Sequence, residues 1–201
     1  LVLNSNSKIR KQEHNYHPKT RDELEKLIEQ LIKERGNEAD LNDIDVSKIT
    51  NMSHLFSSHS ISGCGLGDFN GDISNWDVSK VTSMRGMFYG AYLFNQSIEN
   101  WDVSSVKDMT RMFSGAKVFN QPIGEWNVSG VESMYSMFEN ASAFNQPLEN
   151  WDVSNVNDIE FMFSFAKSFN QDISNWKINC ECDSMFLNCK IKDEYKPKFN
   201  K

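Results

Sequence analysis

The stretch FNQSIENWDVSSVKDMTRMFSGAKV, residues 94–118, returns one period later as FNQPIGEWNVSGVESMYSMFENASA, residues 119–143. Across residues 69–176 the same pattern, F-N-x-x-I-x-x-W-x-V-S-x-V-x-x-M-x-x-M-F-x-x-A-x-x, recurs with a fixed period of 25. Phe69, Phe94, Phe119, Phe144 and Phe169 head the copies, an Asn follows each, and Trp76, Trp101, Trp126, Trp151 and Trp176 come seven places after Phe. Self-similarity at such a period marks a repeat architecture, in which units too small to bury their own apolar faces stack on one another. The kept letters are mostly apolar, so they form the stacking surface. The changing letters form the exterior.

Within a copy the apolar spacing changes character. Ile98, Trp101, Val103 and Val106 give the spacing of a leucine-rich repeat, with a short strand at Trp-x-Val and the skipped residue turned outward. Met109, Met112, Phe113 and Ala116 then fall at i, i+3, i+4 and i+7, one face of a short helix. Ser83, Asp108, Ser133 or Asp158 precedes that run and offers an oxygen to the free amides of a helix start. The Asn after each Phe is costly in a core unless bonded, so it is expected to form a ladder that satisfies backbone groups at the bend between helix and strand.

These copies resemble the bacterial surface-protein repeat of about 25 residues, related to the BspA-type leucine-rich repeats and abundant in mycoplasmas. The likeness covers residues 69–176, and IDVSKITNMSHLF, residues 44–56, matches a further half copy with Ile44 in the place of Trp. It implies a right-handed solenoid used for binding, since BspA-type relatives are described as adhesins for host matrix proteins. It carries over no catalytic residues. The expected fold class is α/β: a right-handed leucine-rich-repeat-like solenoid with one short strand and one short helix per 25-residue repeat, preceded by an amphipathic capping helix.

That helix is read from TRDELEKLIEQLIKERG, residues 20–36, where Thr20 and Glu23 stand at capping-box spacing and Gly36 closes the run. Leu24, Leu27, Ile28, Leu31 and Ile32 line one face. The chain divides into a mobile tail (1–15), the capping-helix segment (16–43), a degenerate first repeat with an inserted loop (44–68), the array (69–179) and a degenerate C-terminal cap and tail (180–201). The insertion, within SSHSISGCGLGD (57–68), adds seven residues between Phe56, here preceded by Leu55 in place of Met, and the next heading Phe, Phe69. Inserted loops often carry function.

A chain of 201 residues with net charge -7 and 39% hydrophobic residues has enough apolar material for a stable core and too much negative charge to favour nucleic acid. No apolar run approaches the roughly 20 residues that span a bilayer. The start, LVLNSNSKIRKQEHNYH, lacks the apolar core of a signal peptide, and its first residue is not Met. Cys180, Cys182 and Cys189 cluster while Cys64 stands apart, which leaves small apolar filling, a local disulfide or zinc as readings. His54, His59 and Cys64 sit five apart, a spacing that matches no usual zinc pattern. No cofactor-binding pattern is present.

The residues expected to face outward from the strands are Asp77, Asp102, Asn127, Asp152 and Lys177, flanked by Asn75, Asn100, Glu125 and Asn150. Carboxylates stacked about 4.8 Å apart should repel, so either a cation or partner sits there, or neighbouring Asn and Ser groups absorb the charge. With His59 of the inserted loop, these are the candidate binding residues. A row of equivalent carboxylates cannot separate its pKa values as acid–base hydrolysis requires, and no phosphate loop, nucleophile elbow or paired His is present. The expected function is therefore a non-enzymatic protein-binding module, adhesin-like, with a host matrix or surface protein as partner and the cell surface or medium as location. A carbohydrate- or calcium-binding solenoid and an intracellular scaffold or regulator are the alternatives.

Overall fold

The computed structural model describes residues 14–59, 65–180, 182 and 184–198. The expected mobile tail falls almost wholly outside the described residues, as do Cys64 and the middle of the inserted loop.

Each copy is a chain of tight turns. In the copy headed by Phe94, the amide of Trp101 donates to the Ile98 carbonyl (3.2 Å), Val106 to Val103 (2.9 Å), Met112 to Met109 (3.1 Å) and Ala116 to Phe113 (3.0 Å). Phe119 then donates to Ala116 at 3.3 Å, which closes the coil into the next copy. Every one is an i to i+3 turn whose first and last side chains are apolar and buried. Apolar-x-x-apolar spacing is here the spacing of turn corners.

The expected α/β solenoid with one short strand and one short helix per repeat is therefore corrected. Among the described residues, helix is confined to α1 (Arg21–Arg35) and a 3-10 turn (Asp193–Tyr195), and β-pairing consists of isolated bridges. The helix fails because alternate amides of the Met-Phe run leave their own copy. Met84 donates to the Asp108 carbonyl, Gly86 to Thr110, Phe88 to Met112 and Gly90 to Ser114, all at 2.8 to 2.9 Å. An α-helix needs those same amides for carbonyls four residues back. Two positions per copy are also left-handed: Gly86, Arg111, Ser136 and Phe161 share one, and Gly90, Gly115, Asn140 and Phe165 the other, with φ between 53° and 75°. A right-handed helix cannot run through them.

The strand fails at Trp-x-Val for lack of a ladder. Parallel bridges instead join Asn51, Ser83, Asp108, Ser133 and Asp158, the last four being the positions expected to cap helices. Carbonyls flanking Trp-x-Val are met by side chains: Trp101 Nε1 donates to Ile73 (3.2 Å) and Ser105 Oγ to Ser79 (2.7 Å). The capping oxygens still act locally, with Asp108 Oδ1 accepting the Thr110 amide at 2.8 Å, but an Asx turn follows rather than a helix.

Two phenylalanine columns run the length of the stack. Phe88, Phe113, Phe138, Phe163 and Phe186 follow one another at centroid spacings of 5.5, 5.6, 5.6 and 5.9 Å with nearly parallel rings. Phe94, Phe119, Phe144 and Phe169 form the second column, and Phe113 touches Phe119 across the gap at 4.0 Å. Beside them lies the asparagine ladder. Asn70 Oδ1 accepts the Asn95 amide, Asn95 that of Asn120, Asn120 that of Asn145 and Asn145 that of Asn170, each at 2.9 Å. A polar side chain is tolerated there because each copy satisfies the next.

α1 closes the N-terminal end. Thr20 Oγ1 accepts the Glu23 amide (3.2 Å), the Gly36 amide returns to Ile32 (2.7 Å), and Leu24, Ile28, Leu31 and Ile32 join the core. Arg21, held by Glu25 at 3.0 and 3.1 Å, donates Nε to the Ser53 carbonyl at 2.7 Å. A guanidinium thus stands where an earlier copy would have supplied an amide. At the other end the tail retraces part of a copy: Lys192 donates to Asn170 Oδ1 (3.0 Å) and Ile173 to the Tyr195 carbonyl (3.0 Å).

Candidate functional site

The D-x-S triplet after each Trp builds a self-contained loop. Asp77 Oδ1 accepts the Ser79 amide (3.1 Å) and hydroxyl (2.6 Å), Asp102 does the same with Ser104 (3.1 and 2.6 Å), and Asn127 with Ser129 (3.2 and 2.7 Å). Asp152 accepts the Ser154 amide at 3.0 Å. All of Asn75, Asp77, Asn100, Asp102, Glu125, Asn127, Asn150, Asp152 and Lys177 are exposed. Their charge is absorbed by local hydroxyls and amides, and Asn150 Nδ2 reaches Glu125 in the preceding copy at 3.0 Å. An open depression of about 390 Å³ lies over Asn150, Asp152, Asn175 and Lys177.

The Ser104 hydroxyl and amide hold the Asp102 carboxyl below the usual carboxylate range, and Ser154 does so for Asp152. In the first copy the Ser47 hydroxyl, then its amide and His17, take Asp45 down to about 2. A carboxyl whose folded pKa lies below its unfolded value of about 3.9 contributes stability that is complete above that value and lost as pH falls through the folded one. The melting temperature is expected to be level from about pH 7 to 5 and to fall below about pH 4. Asp45→Asn should flatten that acid limb in scanning calorimetry, and an unchanged limb would remove Asp45 from its causes.

His59 is exposed and belongs to a different surface. It accepts or donates at Ser58 Oγ (3.0 Å), faces the Tyr89 ring at 5.6 Å, and lines a depression of about 350 Å³ with Arg111, Glu139 and Asn140. None of these is a member of the Asp row. The exposed side of the Met-Phe turns continues from there: the Arg111 guanidinium lies 5.5 Å over the Tyr135 ring, and Tyr135 meets Phe161 edge-on at 5.8 Å. Phe165 is 38% exposed and Leu187 47%, beyond the same row. Sequence reasoning passed over Arg111, Tyr135, Phe161 and Phe165 because they occupy the free letters of the pattern. A signal was present for three of them: Gly86, Gly90, Gly115 and Asn140 share the left-handed columns with Arg111, Phe161 and Phe165, and those residue types mark φ above zero.

Cys180 and Cys189 are free thiols, and Cys182 is buried. Burial pushes the Cys180 and Cys189 thiols up, and Cys189 Sγ points at the Ala166 and Phe169 carbonyls at 3.5 and 3.6 Å. They pack as small apolar groups. Among the described residues no group of three His, Cys, Asp or Glu side chains is placed to hold a metal ion, and no helix is long and apolar enough to cross a membrane.

Buried constant columns carrying an exterior that differs from copy to copy define a stacked-repeat protein. More particularly, the chain belongs to the family described as Mycoplasma protein of unknown function, DUF285, which matches residues 23–131 and again 94–198. That family is repeat-containing and BspA-like. No curated protein and no solved structure matches the chain.

Proposed function

We propose that the protein is a non-enzymatic protein-binding module of a bacterial surface, and that it engages its partner through the turn face formed by Arg111, Tyr135, Phe161 and Phe165. The observation that carries this reading is the backbone at Phe161 and Phe165, left-handed at φ 56° in both. A bulky residue there costs on the order of 1–3 kcal/mol, and Gly or Asn stands at equivalent places in other copies. Phe165 is 38% exposed, so a large apolar surface on this face stays open to a partner. Aromatic rings and an arginine on a rigid surface are also the residue types that dominate protein interfaces.

The Asp row supports a second reading. Asp102 and Asp152 are kept ionised by their serines, so the row from Asn75 to Lys177 would take a basic protein segment or calcium. Host matrix proteins immobilised against the full chain separate the two. A Tyr135→Ala/Phe165→Ala double variant is expected to lose roughly tenfold or more in affinity, as expected for removing interface hot spots. Loss confined to Asp102→Lys/Asp152→Lys would move the partner to the Asp row, and capture from bacterial lysate alone would support an intracellular scaffold.

A further inference from the structure

The stack has a chemical direction. In each copy the amides of the Met-Phe run point to the following copy and the carbonyls are taken by the preceding one: Phe138 donates to the Met162 carbonyl (2.9 Å), Phe163 to Met185 (2.9 Å) and Phe165 to Leu187 (2.8 Å). One end must therefore show carbonyls and the other amides. The carbonyl end is met by Arg21 at Ser53 and by the Leu66 amide at Ser57 (3.1 Å). At the amide end the equivalents of Phe161, Phe163 and Phe165 are Ser184, Phe186 and Asn188. Among the described residues their amides have no acceptor.

Among the described residues the tail does not fill this half of the end. Lys192 and Tyr195 occupy the Asn-to-Ile side of the layer, while Phe186 is half-buried, Asn188 and Leu187 are exposed, and the Lys196 ammonium lies 5.9 Å from the Phe186 ring centre. Asn188 keeps the left-handed φ of 56° found at this column in earlier copies, so the edge holds the shape that receives a further layer. What fits is shown within the chain, where the same edge is covered each time by a Met-Phe turn segment that supplies the Met carbonyl and a ring 5.5 to 5.9 Å along the column.

We propose that residues 184–188 form a docking edge for a Met-Phe turn segment of a repeat-bearing partner, which lies parallel to it, accepts from the amides of Ser184, Phe186 and Asn188 and stacks its ring on Phe186. A second copy joined at the same edge is ruled out by chemistry, because donors would face donors. A second copy joined through its opposite end meets α1 and Arg21. The occupant has to bring open carbonyls.

The test is amide hydrogen exchange of the full chain with and without a synthetic peptide of residues 144–168, which contains one Met-Phe segment. The amides of residues 184, 186 and 188 are expected to exchange fast in the free chain and to slow by roughly tenfold or more with the peptide. A peptide carrying Phe163→Lys should give no protection, and Leu187→Glu in the chain, at an exposed position, should abolish it without lowering the melting temperature. Protection already present in the free chain would overturn the proposal. So would protection elsewhere, none at millimolar peptide, or protection that grows with chain concentration alone, which would assign the edge to a second copy.

Discussion

Phe113→Ala is expected to lower the unfolding free energy by about 3–5 kcal/mol, the upper range for removing a buried aromatic ring. Phe113 is fully buried with Phe88 at 5.5 Å above it, Phe138 at 5.6 Å below and Phe119 at 4.0 Å beside it. Those neighbours cannot close the hole. Their spacing is set by backbone bonds between copies, Phe88 to Met112 and Phe113 to Met137, both 2.9 Å, so the cavity stays nearly whole. The column is also the continuity of the array, and a gap in its middle should uncouple the two halves. Urea denaturation is then expected to show a broader transition, because nearest-neighbour coupling makes the array cooperative. A loss below about 1 kcal/mol would mean that the column is not the core that the geometry describes.

Asn120→Ala is expected to cost about 1–3 kcal/mol, from a single side-chain oxygen. That oxygen accepts the Asn145 amide at 2.9 Å and Gln146 Nε2 at 3.1 Å, and Asn145 is partly buried, so its amide is left with a poor substitute in solvent. Asn120→Asp keeps an acceptor in place and should stay within about 1 kcal/mol of the parent at neutral pH. Parallel thermal melts of the two variants decide the matter. Equal losses would show that shape rather than the hydrogen bond makes the Asn column, and a loss for Asp alone would point to charge.

Much of the interior was legible in the letters. Period 25, the buried Phe, Trp, Val and Met columns, the Asn ladder and the Thr20-capped helix all follow from apolarity and hydrogen-bond need. Local backbone did not follow, because Met109, Met112, Phe113 and Ala116 are spaced alike for one face of a helix and for corners of successive turns. Eight residues are too few for periodicity to decide, and the balance is tipped by amides that bond 24 residues away, as Met84 does to Asp108. Glycines at 86, 90 and 115 were the local evidence against a helix. Exposure of the Asp row was legible from alternation with Trp and Val, while absorption of its charge by neighbouring Asn and Ser groups was one of two readings, and the hydrogen bonds from Ser79 and Ser104 favour it. The Arg111–Tyr135–Phe161 row was not, since residues 24 to 26 apart become neighbours only when copies stack in register.

The seven residues inserted after Phe56 have a practical corollary. Phe56 stacks on Phe88 at 5.5 Å and on Phe69 at 4.4 Å, so the first column and its contact with the second are kept across the insertion. Lengthening that corner costs little closure entropy, which grows only as the logarithm of loop length. The same corner recurs in every later copy, between a Met-Phe pair and the next heading Phe. Each is a socket where foreign sequence could be grafted for display, with spacing along the scaffold measured out in whole copies.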